Sequence, residues 1–426
     1  MSEHSYALKQ KAQLALGHHW GLLLTVGRCA SDLGFSAYAV GGIPRDLLLD
    51  RPIRDLDITI EGDAQAVATA LGQSHGGTVQ VHAPFLTATW TPEGGPSIDM
   101  ASTRSESYPT PGELPTVTAT SLANDLQRRD FTVNTLALSL SPDNAGTLKA
   151  TGKALEDLEN QVLRVLHKRS FFDDPTRIIR AARFATRLKY TLHPDTQAQL
   201  LEAIEAGCIQ SLGRERLGNE LERIFQEANV PTSLQTLQCW GVLHAVHAHV
   251  QINPPALLEA TEQLQKALQH HKDSGWSHPS QTDAWWALLA TTLPREARAE
   301  TTRLIPGNRH QQALWLDGPE QVAKLKEDLG QATLASEAGE SLSNTTEAIR
   351  TCLWASGSNT CRHWLEWWAT QGTQQKTAVN GKTLLSRGLP AGPKLGLALQ
   401  AAQHACWNGD STEAQLIAAL SVFEAS

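Results

Sequence analysis

The stretch VGGIPRDLLLDRPIRDLDITIEGD, residues Val40–Asp63, decides how the first third of the chain folds. Its second half alternates: Asp55, Asp57 and Thr59 are two apart, with Leu56, Ile58 and Ile60 at the positions between and beyond them. Successive side chains of a β-strand point to opposite faces, so both carboxylates go one way and the apolar residues go into a core. Two carboxylates on one face repel unless a cation lies between them. A hard divalent ion such as Mg²⁺ is the natural partner, since it takes one or two carboxylates together with substrate phosphates. Two such ions ~3.5–4 Å apart would activate an attacking hydroxyl and stabilise a departing pyrophosphate. Upstream, Gly41-Gly42 lets backbone N–H groups approach a triphosphate closely, and Arg45 in the following turn can clamp a phosphate oxygen. A DxD pair alone is a common pattern and reads more readily as a solvated strand edge. GGxxRD at this distance upstream is what points to a phosphate and metal site.

Outward from this stretch, Tyr6–Leu33 reads as one helix, with Leu14, Leu22, Leu23, Val26 and Leu33 at apolar positions and Gly34 as its stop. FSAYAV (Phe35–Val40), DITI, TVQVH (Thr78–His82), FLTATW (Phe85–Trp90) and SIDMAS (Ser97–Ser102) read as short strands. They predict a compact α+β domain over residues 1–147. Beyond Thr147 strand signals fade and amphipathic helical patterns dominate. The expected architecture is an α+β head followed by an all-α neck (148–228), body (229–330) and tail (331–426). Nine of the twelve tryptophans lie beyond residue 270, where they read as helix-packing residues. Gly330–Thr346, poor in large apolar residues, reads as a loose connection.

The bulk properties narrow the class. At 426 residues, roughly three domains are expected on a prior of ~150 residues each. A net charge of −8 argues against a uniformly basic nucleic-acid binder but leaves room for a local basic patch. Six scattered cysteines with no CxxC pair read as reduced thiols without a zinc site. The polar N-terminus has no apolar signal core, and no segment reaches ~18 uninterrupted apolar residues, so a cytoplasmic setting without membrane contact is expected.

Two further segments carry charge with a purpose. In SLANDLQRRDFTVNTLALSL (Ser121–Leu140), Ser121 reads as the N-cap of a helix that holds Arg128, Arg129, Asp130 and Asn134. Asp130 and Asn134 would then be i, i+4 neighbours on one helical face, able to bind a ribose hydroxyl or to fix the arginines. In FFDDPTRIIRAARFATRLKY (Phe171–Tyr190), Asp174 reads as N-cap and Pro175 as first helical residue. Arg177, Arg180, Arg183 and Arg187 then share one face. Like charges at that spacing repel, so an anionic or planar partner is implied. Between Gln161 and Tyr190 only Asp173 and Asp174 oppose eight basic residues, a local stripe suited to an RNA end.

Taken together, VGGIPRDLLL, RDLDITIEGD, RRDFTVNT and DDPTRIIRAARF resemble the class II tRNA nucleotidyltransferases and bacterial poly(A) polymerases of the DNA polymerase β superfamily. The resemblance is strong from about Ala39 to Phe225, and an echo returns in NGKTLLSRGLPAGPKLGLAL (Asn380–Leu399). It implies a polymerase β-like head with Gly42 and Arg45 at the triphosphate, and Asp55 and Asp57 as metal ligands. Asp99 matches a third carboxylate of the wider superfamily. Arg129 is implied at the nucleotide, with the Asp130–Asn134 pair near the sugar. Asp174 and Arg177 match the residues that choose C or A without a template, and Arg180 and Arg183 match the basic positions after them. The implied activity is transfer of CMP and/or AMP from CTP or ATP to the tRNA 3′ end, with Mg²⁺ as cofactor.

Several departures bear on the product. Thr135 stands where the family usually has alanine, and Asp173 where it has glutamate. LKATGKALEDL (Leu148–Leu158) lacks the usual Asp-Pro at its start, in an element implied to hinge between C and A addition. The loop SESYPTPGELPTV after Arg104, implied to assist A addition, is close to full length. A-only addition therefore stands beside full CCA addition, and partial activity would imply a second tRNA nucleotidyltransferase as partner. Two rivals remain, a poly(A) polymerase acting on general RNA and a non-catalytic RNA-binding protein. His244, His247 and His249 in HAVHAH, with no carboxylate inside the motif, read as helix-surface residues.

Overall fold

The computed structural model describes residues 3–107, 116–248, 250, 255–276, 280–305 and 308–424. They form two compact units, Met1–Gly213 and Arg214–Ser426.

The first unit is built on a seven-stranded mixed sheet. Its strands are β1 (Ser36–Val40), β2 (Leu56–Glu61), β3 (Thr78–His82), β4 (Thr87–Thr91), β5 (Ile98–Ser102), β8 (Leu136–Ser139) and β9 (Leu148–Ala150). They lie in the order β3-β4-β5-β2-β1-β8-β9, with β2 and β5 parallel and the other neighbours antiparallel. Helices α1 (Glu3–Leu16), α2 (His18–Asp32) and α4 (Ala64–His75) contribute Leu16, Trp20, Leu23, Val26, Val67 and Leu71 to one core. The sheet answers with Ile58, Ile60, Trp90, Ile98 and Met100. On the other face, Tyr38, Val40 and Ala137 receive Leu122 and Leu126 of α5 (Leu122–Gln127). The period-two pattern of the opening stretch is thus realised: Leu56, Ile58 and Ile60 are buried, and Asp57 emerges on the second face. Helix α3 (Gly42–Leu48) joins β1 to β2, and the hairpin β6 (Arg104–Ser107) and β7 (Thr116–Ala119) extends from the sheet. The tip of the loop expected after Arg104, residues 108–115, lies outside the described residues.

Three expectations are corrected. The helix read over Tyr6–Leu33 is two helices, because Gly17 takes φ 54° and ψ −125°, a conformation that breaks α-helical hydrogen bonding. Leu14, assigned to the apolar face, is exposed. The helix expected to hold Arg128 to Asn134 ends at Gln127, although Ser121 caps its start by accepting from the Asn124 N–H. Asp130 accepts the N–H of Phe131 at 2.9 Å, Phe131 enters the core, and a 3₁₀ turn, Thr132–Asn134, leads into β8. Side-chain competition for backbone donors ends the helix where periodicity would have continued it.

After the sheet come α6 (Ala154–Glu159), α7 (Ser170–Asp173), α8 (Thr176–Leu188) and α9 (Pro194–Glu205). A short parallel pair, β10 (Val162–Leu163) with β11 (Thr191–Leu192), lies among them. The second unit is helical among its described residues. Trp285, Trp286 and Trp315 are buried there, with the Trp286 ring edge-on to Phe225 at 5.0 Å and to Trp315 at 5.7 Å. The stretch read as a loose connection contains a helix, Ala335–Ser343. Small residues there signal close approach: a Cβ at Gly339 would lie 2.6 Å from the Trp407 ring. His247 meets Glu300 at 3.2 Å, His244 is exposed, and His249 lies outside the described residues.

Candidate active site

The carboxylates come together through strand register. Asp57 of β2 is the in-register partner of Asp99 on the parallel neighbour β5, and Asp55 immediately precedes β2. Thr89 of β4, opposite Asp99, donates its hydroxyl to Asp99 Oδ1. Asp57 is solvent-exposed, yet it sits in a recess shared with Asp99, Thr59, His82, Arg128 and Arg129. Crowding by protein, then the charges of Asp55 and Asp99, push its carboxyl up to about 6 against the pull of Arg129. Uncompensated negative charge of this kind fits an oxygen-preferring divalent cation. Among the described residues no three acidic, imidazole or thiol groups close into a cage, so these carboxylates suit an ion that completes its shell from phosphates and water.

Arg129 forms the opposite wall. Its Nη2 donates to Asp125 Oδ2 at 3.1 Å and to Thr59 Oγ1 at 3.4 Å, and its Nε is buried without a partner. Gly41 makes room for it: with φ +60°, a Cβ there would stand 3.3 Å from Arg129 Nη1 and strain the backbone as well. Gly42 opens α3 beside it. Asp125 is the residue that sequence reasoning missed. Fully buried, it accepts from the Arg104 N–H at 3.1 Å and pairs with both Arg128 and Arg129. Burial would raise its carboxyl, but the two arginines hold it below the usual range. Its i, i+3 and i, i+4 spacing to them was the available signal. Arg128 also pairs with Glu106 at 2.7 Å, so it braces the base of the β6–β7 hairpin.

A second cluster surrounds the acid–amide pair. Asn134 Nδ2 donates to Asp130 Oδ1 at 2.8 Å, so the turn brings together what the helix was expected to. Arg180 donates to Asp130 Oδ2 through Nε at 3.0 Å and Nη2 at 2.6 Å. Burial opposes ionisation of Asp130, but Arg180 and these hydrogen bonds hold its carboxyl well below the usual carboxylate range. Arg45, expected as an open phosphate clamp, is 2% exposed. Its Nη1 donates to Asn134 Oδ1 at 2.6 Å, and its Nε and Nη2 donate to Asp46 at 2.9 and 2.8 Å. All three of its nitrogens are engaged with protein.

Helix α8 begins one residue later than expected, at Thr176, and Asp174 Oδ1 accepts from the Thr176 N–H at 3.1 Å. Arg177 Nε stands 3.9 Å from Asp174 Oδ2, while its Nη1 and Nη2 donate to Ser170 Oγ (2.6 Å) and the Arg128 carbonyl (2.8 Å). Arg177 and Arg183 are buried. The partners required by the arginine stripe are thus partly internal: Asp130 is the anionic one and the ring of Phe184 the planar one.

Residues 37–164 match the model of the poly(A) polymerase head domain. The chain is 31% identical to an A-adding tRNA nucleotidyltransferase of Geobacter sulfurreducens over 92% of its own length and 45% of that protein's. It is 34% identical to a CC-adding tRNA nucleotidyltransferase of Deinococcus radiodurans over 63% of its length and 67% of that protein's. The chain belongs to the tRNA nucleotidyltransferase family. Among solved structures, a CCA-adding enzyme in an apo form superposes with a TM-score of 0.79 at 26% identity, over 98% of both chains.

As a member of the tRNA nucleotidyltransferase family it joins enzymes that typically use divalent metals. It spans about half the length, or less, of the A-adding relatives that it matches. No helix among its described residues is long and apolar enough to cross a membrane.

Proposed function

We propose that this chain transfers AMP and/or CMP from ATP or CTP to the 3′ end of tRNA. The 3′ hydroxyl gives up its proton to water as its oxygen bonds to the α-phosphorus, the bond from that phosphorus to the β-phosphate bridge breaks, and pyrophosphate leaves with its electron pair. The observation that carries this reading is the register of Asp57 with Asp99 in a recess walled by Arg129. Asp55 and Asp57, with Asp99 beside them, would hold a divalent cation, Mg²⁺ in our reading, which lowers the pKa of the attacking hydroxyl and neutralises phosphate charge. Arg129 and the backbone at Gly41-Gly42 take the triphosphate, the Asp130–Asn134 pair takes the ribose, and Arg45 acts by holding Asn134. Asp174 and Arg177 choose the base, for which Arg177 exchanges its Ser170 contact for the base edge. In this reading the head (1–147) is catalytic, the neck (148–228) selects the base, and the body (229–330) and tail (331–426) bind tRNA, in the cytoplasm.

AMP is the nucleotide we favour. Three of the relatives are A-adding enzymes, and Leu148–Leu158 lacks the Asp-Pro expected at its start. A second tRNA nucleotidyltransferase would then supply the cytidines. Offered excess ATP and a tRNA, the protein should stop after one addition, and it should leave an unstructured RNA of the same 3′ sequence unextended. Long adenosine tails on both would make it a poly(A) polymerase. No addition to either, in the presence of Mg²⁺, would make it a non-catalytic RNA-binding protein.

A further inference from the structure

We infer that Phe184 is a positioning residue: its ring is the platform on which the arginines holding the Asp130–Asn134 pair are set. This rests on reading that pair as the ribose site. Phe184 lies on α8 and is buried. The guanidinium carbons of Arg45, Arg180, Arg183 and Arg187 stand 5.4, 5.7, 5.0 and 5.7 Å from its ring centroid. Each lies within the ~6 Å over which the negative face of an aromatic ring attracts a cation, and burial strengthens that attraction. A ring has only two faces, so the four cations share them.

Two of these arginines are the arms that grip the pair. Arg45 holds Asn134 and Arg180 holds Asp130, each with a contact of 2.6 Å. Because both guanidiniums rest on the same ring, its position helps set the separation of the arms, and so the attitude of the carboxylate and the amide between them. A third contact ties the same turn to the same ring. Phe131, next to Asp130, meets Phe184 edge-on with centroids 5.8 Å apart and planes at 73°. This puts the positive rim of one ring against the electron-rich face of the other. The turn that carries the pair is therefore anchored on α8 through three groups converging on one side chain. An aliphatic residue of similar bulk would fill the space but offer the guanidiniums no face.

The test separates the ring's electrons from its shape. Phe184 is replaced by mono-, di- and trifluorophenylalanine, which keep the shape while draining the face, and by Tyr and Leu. The kcat/KM for ATP is compared with that for 2′-deoxyATP in AMP addition to a tRNA ending in CC, and the affinity for both nucleotides is titrated without tRNA. The preference for ATP should fall stepwise with fluorination, to about a tenth of its native value for the trifluoro ring and for Phe184→Leu. Phe184→Tyr should keep it. A flat fluorination series, in both rate preference and affinity, overturns the inference even if Phe184→Leu fails to fold. A native protein that adds no nucleotide defeats the functional reading instead, while the affinity series still reports on the ring.

Discussion

Asp57→Asn is expected to abolish nucleotide addition, lowering kcat by at least about a thousandfold, while leaving the melting temperature at or above the native value. The two halves of this result have one cause. Asp57 stands beside Asp99 on the neighbouring strand and follows Asp55 by two residues, and crowding by protein, then these like charges, raises its carboxyl. A fold gains nothing from such an arrangement in the absence of a cation, so neutralising one member relieves repulsion. The apolar residues that define β2 lie on the other face and are untouched by the change. Single-turnover addition to tRNA and thermal melts on the same preparation check the prediction. Turnover near the native rate would remove Asp57 from the chemistry, and a melting temperature lowered by many degrees would make it a structural residue.

Asp130→Ala should behave in the opposite way, losing both activity and stability. Asp130 is buried, takes two hydrogen bonds from Arg180 and one from Asn134, and accepts the Phe131 N–H. Removing one partner of a buried, hydrogen-bonded ion pair typically costs about 3–5 kcal/mol, because the remaining charge stays buried. Urea unfolding at neutral pH measures this, and Asp130→Asn, which keeps the shape, should lose less. The pH dependence follows from the direction of its shift. Its folded-state carboxyl lies well below its unfolded value, so the stabilisation is fully present above the ordinary carboxylate pKa of ~4 and disappears as the pH falls through the lower, folded-state range. The difference in stability between the native protein and Asp130→Ala should therefore shrink in acid. A difference under about 1 kcal/mol at neutral pH, or one that grows in acid, would contradict this account of the cluster.

What the sequence disclosed and what it concealed divide along a physical line. Alternation in LDITIE needs only the two-residue repeat of a strand, so the faces of β2 were legible without any knowledge of its neighbours. That Asp99 would stand in register with Asp57 depended on a parallel pairing between strands distant in the chain, which no local pattern encodes. The helix expected through Arg128 to Asn134 failed because Asp130 offers its carboxylate to the backbone and Phe131 has a core to enter, choices decided by tertiary contacts. The pair was still brought together, by a turn. Gly17 shows the converse: one glycine was enough to split a helix whose periodicity ran through it. Around Gly339, the absence of large side chains looked like looseness and was instead the condition for packing on Trp407. The arginine stripe of α8 was visible, but its internal anionic partner was not, since Asp130 lies about fifty residues upstream.

The measurement that bears most directly on the proposed activity uses one purified tRNA in three forms: lacking CCA, ending in C, and ending in CC. Each is incubated with the protein, Mg²⁺ and either labelled ATP or labelled CTP. Incorporation of AMP on the CC end alone, with no CMP on any form, is the predicted result, and would assign the cytidines to a second enzyme. CMP entering the shorter ends would show that the protein builds the CC portion and would contradict A-only addition. No label on any of the three would contradict nucleotidyl transfer to tRNA itself.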